Sequence, residues 1–240
     1  MTNASPCVEL STISGAVPGR LGIGPAHERI LASLFSLPVA SACADAAESV
    51  APNWLEREPW FQQAASSRQH ELAAGRACAS RVLAALGVEP VPVARGAEGE
   101  PVWPSGVVGS ISHSEGLCAA VGASASDVGA IGLDIEPDRL ETAAFAQRIC
   151  NPAELAAIGG LGEPIVALAP VVFAAKEASY KLQFPLTRDA AAWGRLEVLL
   201  SADMFTVRFA GAQGPLANGL ICGRWRRALG FIWAGVTLRW

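Results

Sequence analysis

The chain has 240 residues, 51% of them hydrophobic and 17% charged, which fits a globular protein with a substantial core and excludes a disordered chain. With a formal net charge of −4 and a pI of about 5.4, bulk attraction to nucleic acid or anionic lipid is excluded, so any anionic substrate needs a local basic cluster. The six cysteines (Cys7, Cys43, Cys78, Cys118, Cys150, Cys222) are scattered, with no C-x-x-C pair, which argues against zinc and disulfides and for small buried thiols.

Residues 1–20 lack a basic segment followed by an apolar run, so no secretory signal is expected. The longest late apolar run, 228–238, is far shorter than the roughly 20 residues of a membrane helix. A soluble cytoplasmic protein is the expectation. Residues 1–60 are weakly patterned and predict short strands with one or two helices. Residues 68–86 read as a helix, with Leu72, Ala79, Val82, Leu83 and Leu86 at helical spacing and Gly87 to end it. A Pro- and Gly-rich loop follows at 89–106.

Strands are expected at 107–113 and 117–122 around a tight turn, and again at 130–136 beyond a small-polar linker at 124–127. Residues 170–182 predict a helix with Pro170 at its start, where the missing N–H costs nothing. Antiparallel strands are expected at 197–200, 205–209, 220–225 and 231–238. The reading is an α+β protein of two similar halves, 1–123 and 124–240.

Three segments carry candidate chemistry. In Ile131-Gly-Leu-Asp-Ile-Glu136 strand alternation buries the isoleucines and leucine together and projects Asp134 and Glu136 from the other face, about 7 Å apart. Such oxygen ligands suit Mg²⁺, which takes one or two carboxylates plus substrate phosphates. On its own, the hexapeptide fits the wet face of an edge strand better. In Phe173-Ala-Ala-Lys-Glu-Ala-Ser-Tyr-Lys181 helical spacing gathers Phe173, Lys176, Glu177, Tyr180 and Lys181 into one stripe. A solvated Glu177–Lys181 pair is the simpler reading, but a plain exterior face would carry no aromatics. The third segment, Val108-Gly-Ser-Ile-Ser-His113, is a small-residue strand ending in histidine that lets a ligand approach the backbone; a lone histidine there is more often structural.

Together and in this order, Gly109–His113, Gly132–Glu136 and Phe173–Lys181 resemble the G-S-[IL]-[ST]-H, G-[IL]-D-x-E and [FW]-x-x-K-E-x-x-Y-K motifs of the 4′-phosphopantetheinyl transferase superfamily. Trp103-Pro104, Phe184-Pro-Leu-Thr187 and the Arg68…Gly75-Arg76 spacing are most similar to the subgroup typified by the enterobactin-synthase transferase and its actinobacterial relatives. The resemblance implies a pseudo-dimer of two α/β halves, the first binding CoA and the second Mg²⁺, with the active site between them.

It further implies that Asp134, Glu136 and Glu177 hold Mg²⁺, with Mn²⁺ an alternative, against the CoA pyrophosphate. Arg68, Arg76, Arg95, Ser112 and His113 would contact CoA, and Lys176 and Lys181 would line its phosphates. Ala97-Glu98 departs from the family's more basic loop beside Arg95. The implied reaction moves phosphopantetheine from CoA to a serine of an apo acyl, peptidyl or aryl carrier protein and releases 3′,5′-ADP. Glu177 would act as general base and Lys181 would support the leaving oxygen. The implied setting is siderophore, nonribosomal peptide or polyketide biosynthesis, by a monomer without nucleic-acid or membrane partners. An inactive CoA- or carrier-binding relative is the alternative. No P-loop, dinucleotide fingerprint or hydrolase elbow is present.

Overall fold

A computed structural model describes residues 22–89, 91–211, 216–217 and 219–239. Residues 1–20, read as lacking a secretory signal, and Cys7 lie outside the described residues. Helix α1 (Pro25–Ser33), strand β1 (Ala40–Asp45) and two single-turn helices, α2 (Asn53–Glu56) and α3 (Pro59–Gln62), lead into the long helix α4 (Ser66–Ala85). As the sequence predicts, α4 stops at Gly87, whose φ is +71°. The backbone N–H groups of Gly87 and Val88 donate to Ala84 and Leu83, closing the end in a Schellman arrangement.

Strands β2 (Ala94–Arg95) and β3 (Pro101–Val102) form a small hairpin inside the expected loop; two-residue strands are too short to leave an alternating pattern. Strands β4 (Val107–Ser114) and β5 (Leu117–Ser124) pair through Glu115-Gly116, both at positive φ, as a two-residue type I′ turn requires. Next come β6 (Ala130–Pro137) and helices α5 (Ala143–Ile149), α6 (Pro152–Gly159) and α7 (Ile165–Thr187), followed by β7 (Leu196–Leu200), β8 (Met204–Phe209), β9 (Leu220–Ala228) and β10 (Phe231–Leu238).

Helix α7 begins before Pro170, which corrects the expected start: the proline lies inside the helix. The carbonyl of Val166, which would have accepted the missing Pro170 N–H, instead accepts from the Glu141 N–H at 3.0 Å. A neighbouring segment thus supplies the bond that the proline removes.

The architecture is α+β, with sheet orders β1–β5–β4 and β6–β10–β9–β8–β7, all pairs antiparallel. Alternation divides each sheet between two cores. From β5, Ala120 packs under α4 with Val82 and Leu83, and from β10, Ile232 and Ala234 pack under α7 with Leu182. The opposite faces share one core with α1, where Leu117 and Val121 meet Ile131, Leu133, Ile135 and Trp233.

At the junction, β4 and β6 run side by side without a backbone ladder. Ser110 Oγ accepts from Leu133 N–H at 3.1 Å and Ser112 Oγ from Ile135 N–H at 3.2 Å, so two serine hydroxyls close the edge of the larger sheet. Cys43, Cys78, Cys118 and Cys150 are buried as expected, whereas Cys222 is exposed. It sits between the inward-facing Ile221 and Gly223 on β9, so strand alternation turns it outward.

Candidate active site

The β4–β6 junction forms the floor of a cleft of about 780 Å³. Helix α4 supplies one wall through Arg68, Glu71, Leu72, Gly75 and Arg76, which follow helical spacing. Helix α7 supplies the other through Phe173, Glu177, Tyr180, Lys181 and Phe184; the β2–β3 tip and Trp60 complete the lining. Glycines set the approach of these walls. A Cβ on Gly132 would lie 1.9 Å from the Ala178 carbonyl oxygen, so α7 can rest on β6 only over a glycine. The Trp103 ring lies over Gly109 with no room for a Cβ, which explains the glycine in that strand.

Asp134 and Glu136 leave β6 on the face opposite Ile135, as alternation predicts, but that face is covered by α7 rather than wet. Asp134 is 3% exposed. Its Oδ1 accepts from Lys181 Nζ at 2.6 Å and Ser112 Oγ at 3.0 Å, while its buried Oδ2 has no hydrogen-bond partner. Burial raises its pKa, against the opposing pull of Lys181. Burial, and then the nearby Asp134 charge, push Glu136 up to about 7. The same two causes raise Glu177, whose Oε1 accepts from the Trp193 indole N–H at 2.7 Å.

Arg76 is 6% exposed, and its buried Nε has no partner. Burial, then Arg68 and Arg95, lower its pKa to about 10. Arg68 donates to His113 Nε2 and to Glu71 Oε2, the latter at 3.0 Å, while His113 Nδ1 lies 3.4 Å from Glu71 Oε2. Because a guanidinium only donates, His113 Nε2 must accept, which places the ring proton on Nδ1 toward Glu71. Burial, and then Arg68, lower the His113 pKa to about 4, in keeping with that neutral ring. Arg95 is exposed, with its guanidinium 5.3 Å from the Trp60 ring centroid.

The structure therefore brings Arg68, Arg76, Arg95, Ser112, His113, Asp134, Glu136, Glu177 and Lys181 to one cleft. Lys176 is the exception and corrects the expectation that it lines the phosphates. It is 4% exposed and donates to Glu154 Oε2 and to the Ile149 carbonyl, both at 2.8 Å. About 100° of rotation per helical residue turns it away from Glu177 and toward α6. Sequence reasoning missed Glu71, although its place three residues after Arg68 marks the same helix face. It also missed Trp193, which lies on a 3₁₀ turn and carries no periodic signal.

Among the described residues, no group of three His, Cys, Asp or Glu side chains is arranged to hold a metal ion. Like-charged carboxylates do not gather unaided: Lys181 holds one oxygen of Asp134 and Trp193 one oxygen of Glu177. The three carboxylates still line one cleft, and the unpartnered Asp134 Oδ2 and the raised Glu136 and Glu177 have the oxygen chemistry that suits a hard cation.

A family model for the 4′-phosphopantetheinyl transferase N-terminal domain matches residues 56–123, and one for the 4′-phosphopantetheinyl transferase superfamily matches residues 130–222. The chain belongs to this superfamily and is a 4′-phosphopantetheinyl transferase. It is 32% identical over 184 residues to the 4′-phosphopantetheinyl transferase Svp of Streptomyces mobaraensis, covering 73% of this chain and 74% of that protein. It is 31% identical over 192 residues to PptT of Mycobacterium tuberculosis, covering 76% and 85%. The enterobactin synthase component D of Escherichia coli O157:H7 is 31% identical over 167 residues, covering 65% and 78%. Family membership makes coenzyme A and carrier proteins the substrates. Among the described residues, no helix is long and apolar enough to cross a membrane.

Proposed function

We propose that the cleft binds CoA with its phosphates at the arginine end and its pyrophosphate beside Asp134, and that transfer to the carrier serine is Mg²⁺-dependent. The observation that carries the reading is a buried guanidinium nitrogen, Arg76 Nε, and a buried carboxylate oxygen, Asp134 Oδ2, both without a partner in one cleft. Each is unfavourable alone, and a diphosphate with its cation would satisfy both.

Asp134, Glu136 and Glu177 are the proposed Mg²⁺ ligands, and Mn²⁺ would fit the same oxygen set. When bound, the ion would offset pyrophosphate charge and orient the β-phosphorus for in-line attack. Arg76 and Arg68 supply the phosphate donors, and Arg95 extends them to the cleft mouth. His113 contributes through Arg68 and Glu71, whose contacts hold its ring. Ser112 holds Asp134.

Glu177, with its basicity raised by burial, takes the proton as the serine Oγ attacks the β-phosphorus. The bond to the bridging oxygen breaks, and 3′,5′-ADP departs carrying the electron pair. Lys181 lies in the cleft to stabilise or protonate the departing α-phosphate oxygen.

The N-terminal half, 1–123, contributes the CoA-binding arginines and the C-terminal half, 124–240, the carboxylates. This supports the two-half division and the pseudo-dimer reading. A monomer suffices for this site, and we place it in the cytoplasm. The likeness to the enterobactin synthase component favours a carrier in siderophore or related peptide or polyketide biosynthesis. A binding-only relative is disfavoured because Asp134, Glu136, Glu177 and Lys181 are all in the cleft. Intact-mass spectrometry of apo carriers mixed with protein, CoA and Mg²⁺ tests the function. A gain matching phosphopantetheine that disappears with EDTA supports it, and an unchanged mass across peptidyl, aryl and acyl carriers contradicts it.

A further inference from the structure

We infer that Trp193 is a positioning residue that fixes the direction of the Glu177 carboxylate, an inference that rests on the proposed work of Glu177 at the reacting centre. Trp193 is presented by the 3₁₀ turn Ala190–Arg195. Asp189 pins that turn by accepting from Ala191 N–H at 2.9 Å and pairing with Arg195. From there the indole N–H donates to Glu177 Oε1 at 2.7 Å. An indole nitrogen only donates, and its bond to a carboxylate is charge-assisted and directional. One carboxylate oxygen is thereby held from outside the cleft, and Oε2 is left to work within it.

The indole ring has its own seat. Lys176 Nζ lies 5.5 Å from its centroid, and the Phe173 ring centroid lies 6.3 Å away. Lys176 is fixed in turn by Glu154 Oε2 and the Ile149 carbonyl, each at 2.8 Å. Glu154 accepts from the N–H groups of Asn151 and Val198, both at 2.7 Å. Helices α6 and α7 and strand β7 thus converge on one lysine whose ammonium faces the tryptophan. Buried ion pairs add little net stability over apolar side chains of similar volume. One that seats the ring holding the adjacent Glu177 gives rigidity at the place where orientation matters.

Trp193 also packs against the C-terminal core, so filling space is the competing role. Trp193→Phe separates the two, because it keeps a ring against Lys176 and Phe173 and removes the N–H donor. It is expected to lower kcat about 10–100-fold and weaken Mn²⁺ binding to the CoA-loaded protein, measured by calorimetry, by about tenfold. KM for CoA and the melting temperature should stay close to wild type. Trp193→Leu should match Trp193→Phe in kcat but also melt lower. If Trp193→Phe keeps wild-type kcat and Mn²⁺ affinity while Trp193→Leu only melts lower, Trp193 fills space and the inference is overturned. Glu177→Gln is measured alongside. Wild-type transfer by Glu177→Gln would refute the proposed function of Glu177 itself, whereas an inactive Glu177→Gln beside a fully active Trp193→Phe overturns the positioning role alone.

Discussion

Two buried cations of this molecule are equally hidden and differ in their company. Lys176, 4% exposed, is satisfied by Glu154 and the Ile149 carbonyl beneath α7. Arg76, 6% exposed, opens on the cleft with an unpartnered Nε, and its charged neighbours are the like-signed Arg68 and Arg95. The carboxylates divide in the same way. Both oxygens of Glu154 accept hydrogen bonds, whereas Asp134 Oδ2 has none. A buried charge with all its partners is costly only when one of them is removed; one left incomplete at a cleft points to a ligand of opposite charge.

The largest expected effect falls on the paired region. Lys176→Ala strands the Glu154 charge and should cost about 3–5 kcal/mol in urea unfolding while leaving CoA affinity near wild type. Weakened CoA binding in folded Lys176→Ala would erase the contrast between the two cations. Next, Asp134→Ala should slow carrier modification by about 10²–10³-fold with little change in unfolding, because that carboxylate is buried unfavourably. Transfer at the wild-type rate would remove Asp134 from the reaction.

Arg76→Leu sharpens the comparison by moving two observables in opposite directions. CoA affinity should fall by about 10–100-fold, the weight of a hydrogen bond to a charged group, while the ligand-free protein melts higher. A lower melting temperature with unchanged CoA affinity would place Arg76 with Lys176 as a structural cation. The smallest effect concerns His113. Its folded pKa, about 4, lies below the ordinary 6.5, so the unfolded chain binds the extra proton between those values. Its effect on stability should therefore worsen as pH falls from about 6.5 toward 4. Urea midpoints of wild type and His113→Asn should diverge in that window, to the disadvantage of wild type, and parallel curves would refute the neutral ring.

Much of the cleft was legible because its residues obey short periods. Alternation in β6 separates Asp134 and Glu136 from Ile131, Leu133 and Ile135, and helical spacing joins Phe173, Glu177, Tyr180 and Lys181. The same stripe misplaced Lys176, since a residue at its margin can turn to either side and a distant Glu154 decided the matter. Pro170 looked like a helix start because the compensating Glu141 N–H comes from outside the helix. Helix α6 went unread, although Asn151-Pro152-Ala153-Glu154 is a capping box with proline in the first turn, because only eight residues follow the cap. Trp193 announced nothing, because what it does depends on a contact across 16 residues.

The most direct test is calorimetric titration of CoA into wild type and Asp134→Ala, each with Mg²⁺ and with EDTA. If the incomplete charges of the cleft are completed by a diphosphate and its cation, Mg²⁺ should tighten CoA binding to wild type by about tenfold or more and leave Asp134→Ala unaffected. Equal tightening in both proteins, or none in wild type, would contradict it.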